Sequence, residues 1–308
     1  MTIQSSAQSL PLRVPQPIAR PSERGGARDF LSRLLRARLA GVGLIIIFVF
    51  TTSAIFAENV SPYSSTKTTL TNRLKPPSEK NLLGTDELGR DILSRVIYGG
   101  RVSLQVGVVS VGIALLVGVM LGLIAGYWSN SLLDNVIMRL MDALLSFPAI
   151  VLALAIVATL GASKEGEIPK SIWAIGIVTV PAYARLTRGQ VLTVREREYV
   201  LAAHTVGAPD ARIMLRHILP NVTAPLIVQS SLGIAGAILT EAALSFLGLG
   251  VQPPTPSWGS MLSAGRGYLD IDPWLVVGPG AAIFLTVLGF NFLGDGIRDV
   301  LDPTLRNV

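Results

Sequence analysis

Residues 199–221 read YVLAAHTVGAPDARIMLRHILPN and separate two long apolar segments of the chain. Good helix formers fill residues 190–206, and Gly207 is the type of residue that ends a helix in the left-handed conformation. Pro209 suits the first turn of a new helix, and Asp210 is favourable near its amino terminus. The stretch therefore predicts a helical hairpin with its elbow at Gly207.

The second helix of this hairpin is predicted to have two different faces. Ile213, Met214 and Ile218 share an apolar face, which we expect to contact the rest of the protein. Arg212 and Arg216 stand one turn apart and give the helix a basic character. A basic helix of this kind is also typical of a segment that lies on anionic lipid, so these residues alone leave both interpretations open.

The composition of the chain indicates a membrane protein. Of its 308 residues, 50% are hydrophobic and 15% are charged, which is too apolar for a soluble protein of this length. The cysteine count is zero, which excludes disulfides, thiolate catalysis and cysteine metal sites. The net charge of +6 is typical of basic loops beside a membrane, and nucleic acid is not expected as a partner.

Several apolar segments are long enough to cross a bilayer, which takes about 20 residues. We predict an all-α membrane protein with six transmembrane helices, at about residues 37–57, 102–128, 137–162, 171–189, 220–242 and 273–294. The fourth is short, and its flanking Lys170, Arg185 and Arg188 are expected to reach the interfaces. The membrane domain covers residues 29–308, and the proline-rich residues 1–28 are predicted to be a disordered cytoplasmic tail.

The distribution of arginine predicts the orientation of the chain. Arginines are concentrated before the first span and in the loop between spans four and five, which places the hairpin and both termini in the cytoplasm. Residues 58–101 then lie outside. There, a helix N-cap at Thr85 or Asp86 and apolar residues at helical spacing predict an interfacial helix, which Gly99 and Gly100 are expected to end.

The sequence offers no convincing catalytic motif. No glycine stands five residues before a Gly-Lys-Ser or Gly-Lys-Thr, so a Walker-type ATP site is missing. His204 and His217 have no evident third metal ligand. Ser163 is a candidate nucleophile for a membrane hydrolase, but it is predicted on the opposite side of the membrane from both histidines. We therefore expect no catalytic residue, metal site or cofactor in this chain.

Two carboxylates, those of Asp142 and Glu241, are predicted at or near membrane depth. Ionisable groups are costly there and usually face protein or a path for water. The candidate residues of a translocation path are Asp142, Ser146, Phe147, Glu241 and Ser245. A proton-coupled secondary transporter would need such groups. A structural role at the interface, with Asp142 paired to Arg139 or to neighbouring amides, stays open beside it.

Several motifs, taken in order, resemble those of one family. The stretch AAHTVGAPDARIMLRHILP (202–220) is similar to the EAA loop of ABC importer permeases. Four others resemble the second, C-type permease of the dipeptide, oligopeptide and nickel branch: LGTDELGRDILSRVIYGGRVSL (83–104), MDALLSFP (141–148), EAALSFLGLGVQPPTPSWGSML (241–262) and NFLGDGIRDVLDP (291–303).

The resemblance implies the type I ABC importer permease fold, in which the loop at 190–219 forms a coupling helix that docks on an ATPase subunit. The residues it assigns to this coupling are Ala202, Ala203, His204, Gly207, Ala208, Pro209, Asp210 and Arg212. Leu201 stands where the family has the glutamate that names the motif, and His217 stands where the general pattern has isoleucine. The missing glutamate puts a salt bridge to the ATPase at that position in doubt.

The resemblance also implies a set of partners in the bacterial inner membrane. These are a sister permease that forms a heterodimer, two ATP-binding subunits or domains, an extracytoplasmic substrate-binding protein, and membrane lipid. ATP and magnesium would be bound by the ATPase partners. The implied substrates are di- or oligopeptides, with nickel as the alternative.

Overall fold

A computed structural model describes residues 34, 37–161 and 169–301 and shows a bundle of α-helices. The predicted tail at 1–28 and Ser163 lie outside the described residues. The helices are α1 (Arg38–Ile55), α2 (Ala57–Val60), α3 (Ile92–Tyr127), α4 (Leu132–Leu145), α5 (Ala149–Leu160), α6 (Ser171–Arg195), α7 (Glu198–Thr205), α8 (Asp210–Phe246), α9 (Trp258–Gly265) and α10 (Trp274–Leu301). The predicted all-α class is confirmed.

Not every predicted span is equally apolar in the folded chain. Helices α1, α3, α8 and α10 have the length and composition of membrane spans, and α4 and α5 together form a fifth if the bent pair is one span. Helix α6 has 25 residues, about 37 Å of helix, which is long enough to cross. Its second half carries Arg185, Arg188 and Arg195 and is less apolar. A count of six spans therefore needs α6 as well as the bent pair.

Helix α3 corrects the predicted second span. The separate interfacial helix is wrong, because one helix of 36 residues begins at Ile92 and runs to Tyr127. Its N-cap is Asp91, whose carboxylate accepts a hydrogen bond from the Ser94 backbone at 2.7 Å. Gly99 and Gly100 do not end this helix. A Cβ atom at either position would lie 3.2–3.3 Å from the Trp258 ring, so these glycines make room for the ring.

The predicted third span is also corrected. Residues 137–162 are not one helix, because α4 and α5 meet at an angle of 93°. The break falls at Ser146, Phe147 and Pro148. Pro148 disfavours helical backbone in the residue before it, and it is itself the N-cap of α5. The apolar run is long enough for a straight span, but the proline decides its shape.

The centre of the bundle is the contact between α3 and α6. A stripe of glycines at intervals of four, Gly118, Gly122 and Gly126, forms the face of α3 that meets α6. A Cβ atom would lie 2.6 Å from the Tyr183 side chain if placed on the first and 2.3 Å from the Ala184 carbonyl oxygen if placed on the second. Small residues at this spacing let two helix backbones approach closely, which is how helices associate in lipid.

Helix α8 runs from the predicted hairpin to the other side of the bundle. Residues Ile213–Ile218 adopt π-helical geometry at its start, and such bulges frequently mark functional sites. Ile213 and Ile218 are fully buried, and Met214 packs partly buried against the same core. The predicted apolar face of this helix is confirmed. We call the side of the bundle that contains Gly207 the elbow end and the opposite side the far end.

The far end is an ordered polar and aromatic assembly. Asp86 accepts a hydrogen bond from Arg90 at 2.6 Å and forms a longer ion pair with Arg95 at 3.4 Å. Trp258, at the start of α9, is fully buried, and its indole N–H donates to the Val96 carbonyl oxygen at 2.9 Å. These contacts fix the beginning of α3 to the segment that precedes it and to α9.

Candidate functional site

The elbow between α7 and α8 has the conformation that its sequence predicts. Gly207 has a φ of +76°, which only glycine adopts without strain. Its N–H donates to the His204 carbonyl oxygen at 2.9 Å, and the Ala208 N–H donates to the Ala203 carbonyl oxygen at 3.1 Å. These bonds satisfy the last carbonyl groups of α7. A Cβ atom on Gly207 would meet nothing within 4 Å, so the tip projects freely.

The eight residues assigned to coupling lie together at this tip. Ala203 and Ala208 are partly buried and pack against the core, so they hold the elbow in place. The other six are exposed, namely Ala202, His204, Gly207, Pro209, Asp210 and Arg212. The tip is thus a compact surface that the bundle supports from behind.

Tyr127, the last residue of α3, is a member of this site that the sequence did not reveal. Its hydroxyl donates to the Asp210 carboxylate at 2.6 Å and lies 3.2 Å from His204 Nε2. The Tyr127 and His204 rings are stacked with their centroids 6.0 Å apart. In the sequence, Tyr127 and Trp128 form an aromatic pair at a predicted membrane boundary. Such a pair anchors a helix at the interface but does not indicate which residues the tyrosine contacts.

Arg195, the last residue of α6, also contacts the end of α3. One guanidinium nitrogen donates to the carbonyl oxygens of Gly126 and Tyr127 at 3.2 Å and to the Ser129 hydroxyl at 2.5 Å. A cation at this position is favourable because it satisfies carbonyl groups that the helix itself leaves free. The ends of α3 and α6 are therefore joined directly.

An open cavity lies between the elbow and the end of α3. Its lining residues are Tyr127, Trp128, Arg195, Glu196, Leu201, His204 and Asp210. Leu201 is 50% exposed, so the position where the family has glutamate presents an apolar surface here. The lining combines charged, aromatic and apolar groups, a mixture that suits contact with another protein.

A second open cavity lies between α4 and α6. Asp134 is buried and receives two hydrogen bonds from Arg188 at 2.7 and 2.8 Å. A further ion pair joins Asp142 to Arg185, and both side chains are about half exposed. Arg139 was one possible partner for Asp142, and the ion pair that Asp142 makes is instead with a residue of α6. The cavity therefore carries both signs of charge on one open surface.

The five candidate path residues do not form one group. Asp142, Ser146 and Phe147 are exposed near the break between α4 and α5. Glu241 is fully buried and accepts hydrogen bonds from Ser103 at 3.0 Å and Ser245 at 2.6 Å. These two bonds tie α8 to α3 and to the next turn of α8. Glu241 and Ser245 thus belong to a buried hydrogen-bond network that joins helices, while the other three residues are exposed.

Comparison with known proteins gives this arrangement a family. The family model for the binding-protein-dependent transport system inner membrane component matches residues 118–307. The chain belongs to this family. A second family model, the N-terminal transmembrane domain of oligopeptide transport permease C, matches residues 27–77. The resemblance drawn from the motifs is confirmed, and the chain is a multi-pass permease of the inner membrane.

Individual relatives cover nearly the whole permease. It is 47% identical over 302 residues to the dipeptide transport system permease protein DppC of Alkalihalophilus pseudofirmus, with 96% of this chain and 98% of the relative covered. It is 49% identical over 278 residues to the di/tripeptide transport system permease protein DppC of Pseudomonas aeruginosa, at 88% and 89% coverage. It is 42% identical over 281 residues to the glutathione transport system permease protein GsiD of Pectobacterium atrosepticum, at 91% and 92% coverage.

Proposed function

We propose that the permease is one half of the membrane channel of an ATP-driven importer for di- or oligopeptides. The names of its relatives support a small-peptide substrate rather than nickel. Its partners are a sister permease, two ATP-binding subunits and an extracytoplasmic binding protein. ATP and magnesium bind to the ATP-binding subunits, so this chain hydrolyses nothing itself.

The observation that carries this proposal is the exposed, supported elbow at Gly207. Six exposed side chains or backbone positions form its tip, and the buried Ile213 and Ile218 fix the helix that follows. A rigid projection of this kind can transmit the motion of a docked ATPase to the bundle, provided that its contacts differ between the two states of the importer. The elbow end is then cytoplasmic, with both termini on that side.

The cavity between α4 and α6 is the proposed contribution to the translocation path. Asp142 lines this cavity beside the Arg185 cation. Ser146 and Phe147 are exposed in the break that follows α4. A half-exposed ion pair is tolerated at membrane depth only where it faces water or another protein. The sister permease would complete this surface, so that the ion pair faces both water and another protein.

A side chain added at Gly207 tests the docking of the ATPase. We expect Gly207→Asp to leave the bundle of the isolated permease folded, because no atom lies within 4 Å of the new Cβ and the strain of a side chain at positive φ stays at the exposed elbow. The same side chain should obstruct a groove that fits the bare elbow. Purification of the complex should then recover the permease pair with less than about a tenth of the ATP-binding subunits, the loss expected for obstruction of an interface centre.

Gly248 provides a matched control for this experiment. It also has a positive φ, of +84°, and a Cβ atom added there would meet nothing within 4 Å, but it follows the far end of α8. Gly248→Asp should therefore retain the ATP-binding subunits. Equal retention in both variants would show that the elbow is not the docking surface.

Glu241 distinguishes this proposal from a proton-coupled secondary transporter. A proton carrier needs its carboxyl group to titrate, whereas a structural group needs only its hydrogen bonds. Glutamine can accept from Ser245 and donate to Ser103, so we expect Glu241→Gln to keep ATP-dependent uptake within about twofold of the native permease. Glu241→Leu, which leaves two buried hydroxyls unpaired, should reduce the amount of folded protein.

Uptake into vesicles that contain the full importer, with and without ATP, measures both variants. A folded Glu241→Gln permease without uptake, or native uptake that needs a proton gradient but no ATP, would favour the proton-coupled carrier.

A further inference from the structure

Helix α3 connects the two ends of the permease in one piece. Its 36 residues correspond to about 54 Å of helix, more than the thickness of the hydrocarbon core. Asp91 caps its start within the far-end assembly, and Tyr127 ends it beside the elbow. Along the chain, the elbow follows α6 and α7 and precedes α8. Helix α3 is not its neighbour in sequence, so α3 contacts the elbow through side chains.

The Tyr127 hydroxyl contacts both sides of the elbow at once. His204 belongs to the helix before Gly207, and Asp210 begins the helix after it. A tyrosine hydroxyl has one hydrogen, and at 2.6 Å that hydrogen is donated to Asp210. The contact at 3.2 Å then requires His204 Nε2–H to donate to the hydroxyl oxygen. One atom of α3 therefore holds the two arms of the elbow in a fixed relation.

We propose that Tyr127 is the positioning residue through which the elbow moves α3, an inference that rests on the proposed function of the elbow as the ATPase docking site. A displacement of the tip cannot leave the end of α3 behind without breaking both bonds to the Tyr127 hydroxyl. The His204 ring, which is stacked on the Tyr127 ring, adds a further contact between the elbow and α3.

Movement of α3 would reach the cavity and the far end by direct contacts. The glycine stripe binds α3 closely to α6, the helix that carries Arg185. Ser103 of α3 donates to Glu241 of α8. The start of α3 is joined to the segment before it, where Asn81 donates to Asp91 and Asp86 pairs with Arg95. The structure thus contains a continuous route from the elbow that does not follow the chain.

Tyr127→Phe tests this inference because it removes the hydroxyl and keeps the ring. The variant is assembled with the sister permease, the ATP-binding subunits and the binding protein in liposomes, and both ATP hydrolysis and peptide uptake are measured. We expect the ATP-binding subunits to remain bound. The number of ATP molecules hydrolysed per peptide should rise at least about fivefold, because two hydrogen bonds are lost and even one shifts an equilibrium by about that factor.

A further variant controls for the loss of a hydroxyl group from this region. Tyr199→Phe removes a hydroxyl from the same hairpin that has no hydrogen bond within the described ranges, and it should leave the ratio unchanged.

Two outcomes would overturn the inference. One is a native ratio in Tyr127→Phe with the ATP-binding subunits still bound. The other is loss of those subunits from Tyr127→Phe, which would make the contact part of docking instead of transmission. Neither result depends on Gly207→Asp, which tests docking alone, so the two proposals fail separately.

Discussion

Substitution of Gly122 by valine is expected to prevent the permease from folding stably. A Cβ atom on Gly122 would lie 2.3 Å from the Ala184 carbonyl oxygen and 2.7 Å from the Thr187 Cβ atom. The backbone of α6 cannot give way there without separating from α3 along the glycine stripe. Over-filling a packed interior costs about 1–3 kcal/mol or more, and here the nearest atom belongs to backbone, which relaxes least.

The midpoint of thermal unfolding of the isolated permease in detergent measures this effect. Gly112→Val is the matched control, since Gly112 lies on the same helix and a Cβ atom there meets nothing within 4 Å. The control should unfold within a few degrees of the native permease, because surface substitutions away from packed features change stability little. Similar midpoints for Gly122→Val and the native permease would contradict the close contact of α3 with α6.

Apolar runs predicted the membrane helices well, but not where they begin or bend. Hydropathy is a property of composition over about 20 residues, so a single residue such as Pro148 barely changes it and yet bends the span by 93°. In the same way Gly99 and Gly100 suggested an end for a helix that continues through them. Their purpose is visible only once Trp258, far away in the sequence, is placed against them.

The elbow could be predicted because its determinants are local. Gly207 and Pro209 act on their own backbone, and the helices on either side follow from nearby residues. Tyr127 could not be predicted, because its partners His204 and Asp210 are 77 and 83 residues away. Its role depends on how α3 and α7 pack, which no short pattern encodes.

Helix α6 was the weakest predicted span for a reason that the structure explains. Arg185 and Arg188 lower its hydropathy, and hydropathy counts every charge as unfavourable. In the fold, both arginines are paired with acidic residues of α4. The charges therefore join two helices at the edge of a cavity, and an expectation based on composition alone undervalues them.

The ion pair between the buried Asp134 and the partly exposed Arg188 should show the second large effect. Asp134 has a side chain that is 3% exposed and takes two hydrogen bonds from Arg188. Removing the guanidinium in Arg188→Met leaves a buried, unpaired carboxylate, which costs about 3–5 kcal/mol. Asp134→Asn in that background removes the charge and keeps an oxygen for the Asn130 N–H, which now donates to Asp134 at 2.9 Å.

We therefore expect Asp134→Asn to destabilise the native permease but to stabilise the Arg188→Met variant. The free energy of unfolding in mixed micelles, measured for both single variants and the double variant, gives the coupling between the two residues. The pair of Asp142 and Arg185 on the same helices is the matched control. Both of its side chains are about half exposed, so the corresponding cycle of Asp142→Asn and Arg185→Met should give less than about 1 kcal/mol. Equal coupling in the two cycles would mean that burial does not distinguish them, and that Asp134 is open to water in the folded permease.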